Sequence, residues 1–150
     1  GAFGCAVTAL AQYLTIVGLP ITPDRVQDVL ILGGGFKARD SYNFVNWPKL
    51  PELFPRFVYR GVADCPNTLA PIGVMTGIED RLSRGQPVIL YVDASAYERG
   101  LQQHFVLAIG CLESGAIAVA NPWNGQRQDL RPYGKNDRSS ICGVKWLDFV

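Results

Sequence analysis

The stretch Gly4-Cys5-Ala6-Val7-Thr8-Ala9-Leu10-Ala11-Gln12-Tyr13-Leu14-Thr15-Ile16-Val17-Gly18 decides how the rest of the chain is read. Ala6, Ala9, Leu10, Tyr13, Leu14 and Val17 recur at intervals of three and four. That spacing makes one apolar helical stripe, which must be buried against another element. Gly18 and Pro20 end the helix, and Gly4 supplies a turn ahead of it. Cys5 therefore falls at the helix N-terminus, where unpaired backbone N–H groups and the aligned peptide dipoles favour a negative charge. A free cysteine is most often a small buried hydrophobe. One placed here has the second option of becoming a stabilised thiolate, and so a nucleophile.

Outward from this helix the chain changes character. Thr22-Pro23-Asp24 combines an N-cap hydroxyl, a proline for the first helical position and an acid suited to the dipole. The helix it opens runs to about Leu32 and stops at Gly33-Gly34-Gly35, a triplet without the Lys-Ser/Thr of a phosphate-binding loop. Ser41 to Leu53 reads as a short helix broken by Pro48 and Pro51, and Arg56 to Val62 as a strand. Thr76-Gly77-Ile78-Glu79 matches a capping box and opens a helix through Arg84. Pro87 to Asp93 is a β-branched and aromatic strand, and Ser95 to Leu101 a polar loop. Gln103 to Cys111 and Ala116 to Ala120 form a hairpin about Glu113-Ser114-Gly115, and Ile141 to Phe149 adds a last strand. Helices first and sheet afterwards is an α+β order, not an alternating parallel one.

The chain has 150 residues, enough for one domain with its own core over 1–150. Hydrophobic residues make up 48% and charged ones 18%, the balance of a globular protein. The 14 basic and 13 acidic residues are scattered and give a net charge of +1. No basic run points to nucleic acid, and no apolar run is long enough to insert this domain in a membrane. Cys5, Cys65, Cys111 and Cys142 are far apart, so neither a zinc site nor a disulfide framework is expected. One bridge among Cys65, Cys111 and Cys142 stays open in an oxidising compartment, and cysteine usage leaves the compartment itself open. Neither metal nor organic cofactor is implied. Because the chain begins at Gly1 without a methionine, a signal peptide or further domain ahead of it stays open as well.

His104 is the sole histidine and opens a strand whose next residues, Phe105 to Ile109, are apolar. Strand mouths are where a side chain reaches a cleft. Asn121 follows the paired strand and precedes Pro122-Trp123. Hairpin pairing brings the two ends close, so the Asn121 amide oxygen could accept the imidazole N–H and leave the other nitrogen facing a thiol. Taken singly, these are an ordinary strand histidine and an ordinary Asn-Pro turn. Trp47 and Trp123 read first as packing residues, and Asp93 as a strand-terminating acid at the edge of the predicted cleft.

Cysteine at a helix start, histidine at a strand mouth and asparagine after the next strand is the chain order of papain-type peptidases. Gly4-Cys5-Ala6-Val7-Thr8-Ala9-Leu10 resembles the opening block of the C39-like peptidases, relatives of the bacteriocin-leader peptidases. Gln86-Pro87-Val88-Ile89, His104-Phe105-Val106-Leu107 and Asn121-Pro122-Trp123-Asn124-Gly125 resemble the later blocks of the same family, in the same order. The resemblance implies a papain-like fold with N-terminal helices on an antiparallel sheet. It also implies a Cys5–His104–Asn121 triad cleaving a peptide or protein substrate through a thioester. Asn121 stands where many C39 members have Asp. The family's oxyanion-binding Gln, a few residues before the cysteine, has no counterpart in Gly1-Ala2-Phe3-Gly4. The Gln could lie on a removed N-terminal stretch, or backbone N–H groups could form the hole, or the domain could be catalytically weak. The alternatives to hydrolysis are a peptide- or ligand-binding module on the same fold, and acyl transfer to an amine.

Overall fold

In a computed structural model that describes residues 4–38, 41–65, 68–94 and 103–150, the apolar stripe of the first helix packs on an antiparallel sheet. The elements are α1 (Gly4–Ile16), α2 (Pro23–Gly33), β1 (Phe36–Ala38), β2 (Ser41–Val45), α3 (Leu50–Leu53), β3 (Phe57–Asp64), α4 (Ile72–Ser83), β4 (Val88–Asp93), β5 (Gln103–Cys111), β6 (Ile117–Ala120), β7 (Arg127–Gln128), α5 (Asp137–Ser140) and β8 (Ile141–Phe149). Short 3-10 turns cover Trp47–Lys49 and Arg131–Tyr133. The sheet order is β3-β8-β4-β5-β6-β7, and every neighbouring pair is antiparallel. This is the α+β architecture expected.

The side-chain period of two sorts the sheet into two faces. Phe105 and Leu107 of β5, with Ile89 and Tyr91 of β4, pack beneath Leu10, Tyr13 and Leu14 of α1 and Leu30 of α2. Val106 and Ala108, with Leu90 and Val92, face the opposite way and meet Met75 and Ile78 of α4 and Leu130. Covering both faces is why Val88 to Val92 is buried without a break. Tyr13, fully buried, keeps its hydroxyl satisfied at Gln86 Oε1 (3.2 Å) and the Leu147 carbonyl (3.3 Å). Burial and the neighbouring Asp148 carboxylate raise its pKa.

Local signals were overruled at two places. Ser41 to Val45 is a strand, not the start of a helix, paired with β1 from Phe36 opposite Val45. Val45 is buried and Phe44 is exposed, a period-two pattern that suits a ribbon. The two prolines open the 3-10 turn and α3 instead of breaking a helix, each in a first-turn position where no N–H is missed. Likewise α4 begins at Ile72 after Pro71, one turn before the capping-box motif at Thr76. Met75, buried in the second core, would otherwise lie outside the helix, and its burial outweighs the cap. The predicted loop at 95–101 lies outside the described residues.

Tyr91 stands opposite Gly143 in the β4–β8 ladder. A methyl group on Gly143 would overlap the Tyr91 ring and lie 2.7 Å from the Ala63 carbonyl oxygen. Gly143→Ala is therefore predicted to destabilise the fold by about 1–3 kcal/mol. Urea unfolding checks this: the midpoint should fall while the slope stays unchanged.

Candidate active site

Gly4 enters α1 with φ 70°, a left-handed conformation that suits glycine and turns the chain sharply into the helix. The Thr8 hydroxyl donates to the Gly4 carbonyl (3.0 Å), fixing this first turn. Cys5 comes next, partly exposed. Its sulfur accepts a hydrogen bond from the Phe105 backbone N–H at 3.3 Å. The reason lies in the sheet. β6 accompanies β5 only as far as Ala120 opposite Leu107, so the strand edge at Phe105 is left for α1. A helix N-terminus and a backbone donor thus converge on one sulfur.

That hydrogen bond sets the thiol against the His104–Phe105 peptide, at the mouth of β5. The His104 imidazole is half-buried and packs on the Tyr133 ring, with centroids 5.7 Å apart and planes tilted by 39°. Burial pulls its pKa below the ordinary histidine value, so at neutral pH the ring is an uncharged proton acceptor.

Asn121 follows β6, and both ends of its side-chain amide are engaged. Its Oδ1 accepts from the backbone N–H groups of Trp123 (2.8 Å) and Asn124 (3.3 Å), and its Nδ2 donates to Gln128 Oε1 (2.9 Å). Among the described residues no hydrogen bond joins Asn121 to His104. The structure therefore brings Cys5 to the His104 backbone, and places Asn121 on the hairpin beside them with its oxygen committed to its own turn.

Three side chains absent from the sequence reading complete the site. Gln12 donates to the Asn121 carbonyl (3.1 Å), tying α1 to the hairpin. It lies seven residues after Cys5 on the same helical face, a spacing that would have flagged it. Gln128, which accepts from Asn121, also lies near the Tyr133 hydroxyl. Burial raises the Tyr133 pKa foremost; the nearby Gln128 side chain opposes this, and Cys5 adds to it. No local motif marks Gln128 or Tyr133. They reach the site only through the return of the chain as β7 and the turn after it.

A groove of about 500 Å³ begins one turn from Cys5, between Thr8, Gln12 and Ile16 of α1 and Ala120, Pro122 and Trp123 of the hairpin. Trp123 is 79% exposed, so it is a wall of this groove and not a core residue. Trp47 is buried and packs on Phe105, as a structural tryptophan would. A second hollow, about 590 Å³, is lined by Leu69, Ala116, Arg131 and Arg138 among others and includes none of Cys5, His104 and Asn121. All four cysteines are unbridged. Among the described residues no group of three or more His, Cys, Asp or Glu could hold a metal ion, and no helix is long and apolar enough to cross a membrane.

With this geometry in place, comparison with known proteins is informative about fold. No family model matches the sequence, and no curated protein matches it. Among solved structures, the crystal structure of a protein from Bacillus anthracis, named as a candidate C39-like peptidase, superposes with a TM-score of 0.56. The likeness covers 96% of this chain and 88% of that one at 12% sequence identity. The chain is similar in fold to a C39-like peptidase. Its helix-on-sheet layout is thus a peptidase-like one, with Cys5 on the first helix and His104 on the central hairpin.

The depressed pKa of His104 has a consequence for this peptidase-like fold. The unfolded chain binds a proton at residue 104 near pH 6.5, whereas the folded chain resists it to lower pH. More protons on the unfolded state mean that stability rises with pH through this window and is lost as pH falls below about 6.5. With one histidine in the chain, His104→Gln should flatten that part of the profile. Thermal unfolding of both proteins between about pH 7 and pH 5 checks it.

Proposed function

We propose that the chain is a cysteine peptidase of the C39-like kind, with Cys5 as nucleophile, His104 as general base and Asn121 as the residue that orders the histidine side of the cleft. The observation that carries this reading is the Cys5 sulfur held at 3.3 Å from the Phe105 amide, at the N-terminus of α1 and against the peptide of the sole histidine. A buried structural cysteine needs none of these features. The fold likeness to a candidate C39-like peptidase supports it.

In the reaction the Cys5 proton passes to the uncharged imidazole, and the sulfur attacks the scissile carbonyl carbon. The carbonyl π pair moves to oxygen, where the first-turn N–H groups of α1, starting with that of Cys5, are the donors at hand. Collapse breaks the C–N bond, the imidazolium protonates the departing amine, and a thioester remains. Water then gives a proton to His104 as it attacks, the C–S bond breaks, and the thiol is restored. The groove from Thr8 to Trp123 would take the peptide chain alongside α1. An asparagine in place of an aspartate leaves His104 without a carboxylate, in keeping with burial as the one cause of its shift.

Site-resolved iodoacetamide labelling tests the first step. Near pH 7, Cys5 should react faster than the exposed Cys111, and far faster than Cys65 and Cys142, whose pKa values burial raises foremost. His104→Ala should remove the advantage of Cys5. In a peptide-library screen, Cys5→Ala should reduce hydrolysis by about a thousandfold or more. Products with added amines would report transfer instead of hydrolysis. A Cys5 no more reactive than Cys111 would overturn the peptidase reading, leaving a peptide-binding module on the same fold.

A further inference from the structure

Asn121 cannot present its Oδ1 to an imidazole while that oxygen holds the amides of Trp123 and Asn124. Its Nδ2 points instead to Gln128 Oε1 at 2.9 Å. Gln128 lies near the Tyr133 hydroxyl. The Tyr133 ring in turn packs on the His104 ring at 5.7 Å. Resting on the Cys5–His104 pair proposed above, we infer that Tyr133 positions His104, and that Asn121 acts on the histidine through Gln128 and Tyr133.

The sheet puts these residues on one face. His104 alternates with Phe105 and so shares the face of Val106, while Gln128 stands opposite Val119; Val106 and Val119 both belong to the second core. Tyr133 has a firm mount. Its N–H donates to the Leu130 carbonyl at 2.8 Å, Pro132 stiffens the turn, and Leu130 is 1% exposed in that core. An aromatic ring fixed at its base and packed on the imidazole restricts it to one orientation without bonding to it. Leu130 also accepts from the buried Ser140 hydroxyl (3.4 Å), which joins the turn to α5. Among the described residues the titratable group packed on His104 is Tyr133, with Cys5 close to Tyr133; Asp93 ends β4 one residue after Val92, the cross-strand partner of His104, and so alternates to the other face of the sheet.

Because His104 is the sole histidine, its imidazole signals in NMR need no assignment by mutation. The titration is run in the Cys5→Ala background, where no thiolate can shift the ring. Tyr133→Leu is expected to uncover the imidazole and raise its midpoint by about half a pH unit or more, toward the ordinary value of about 6.5. Gln128→Leu, which leaves both rings in place, should give a smaller rise and mix the two tautomers. Tyr133→Phe should mix the tautomers with little change in midpoint. A merely structural role would lower the unfolding temperature of these variants and leave the histidine of the folded protein unmoved. If Tyr133→Leu does not fold, Tyr133→Phe and Gln128→Leu decide the matter. Folded variants with native midpoint and native tautomer would overturn the inference. Labelling of Cys5 in the parent chain reports separately on the pair: His104-dependent labelling with an indifferent Tyr133 refutes only the positioning, while a responsive His104 beside an unreactive Cys5 upholds positioning and refutes only the peptidase reading.

Discussion

A single backbone hydrogen bond organises the site: the Phe105 amide given to the Cys5 sulfur at 3.3 Å. It exists because β6 stops at Ala120, leaving the edge of β5 open just where α1 begins. A longer β6 would satisfy that amide with a carbonyl and hold the helix away. A shorter one would leave the amide to water. The geometry that lets a helix N-terminus touch a strand mouth is thus set by the length of a neighbouring strand, and it brings the thiol to the His104–Phe105 peptide.

The two faces of the sheet divide the labour. One holds α1 in place through Leu10, Tyr13 and Leu14 against Tyr91, Phe105 and Leu107, each such side chain contributing about 1.5–3 kcal/mol by leaving water. The other carries His104, Gln128 and Tyr133 at its margin, beyond the second core of Leu90, Val106 and Leu130. Cys5 reaches the sheet edge at the His104–Phe105 peptide. Gln12, bonded to the Asn121 carbonyl, ties the hairpin back to α1 and prevents the two sides from separating. The groove walled by α1 and the exposed Trp123 is the opening left between the two.

Much of this was legible in the sequence, and the rest was not for identifiable reasons. Strong periodicity placed α1, β4, β5, β6 and β8 to within a residue or two, because burial alone dictates where Tyr13, Leu90 or Leu107 must point. Local motifs misled where tertiary burial outweighed them: Met75 drew the start of α4 back to Ile72, ahead of Thr76, and pairing with Phe36–Ala38 made a strand of Ser41–Val45. Cys5 and His104 were readable as residues at an element end. Tyr133 was not, since nothing near Arg131-Pro132-Tyr133 in the sequence announces that the chain will fold back over the mouth of β5. The Asx turn that captures the Asn121 oxygen was foreshadowed by Asn-Pro, although its cost to a direct contact with histidine became apparent only with Gln128 in view.

The central claim is that Cys5 is a nucleophile docked on β5 and facing a peptide-binding groove. A crystal structure of the chain treated with a peptidyl aldehyde tests it most directly. The account predicts a thiohemiacetal on the Cys5 sulfur, with the peptide portion lying between α1 and Trp123 and the Phe105 amide still close to the sulfur. An aldehyde bound elsewhere, or a Cys5 left unmodified and turned away from Phe105, would contradict it.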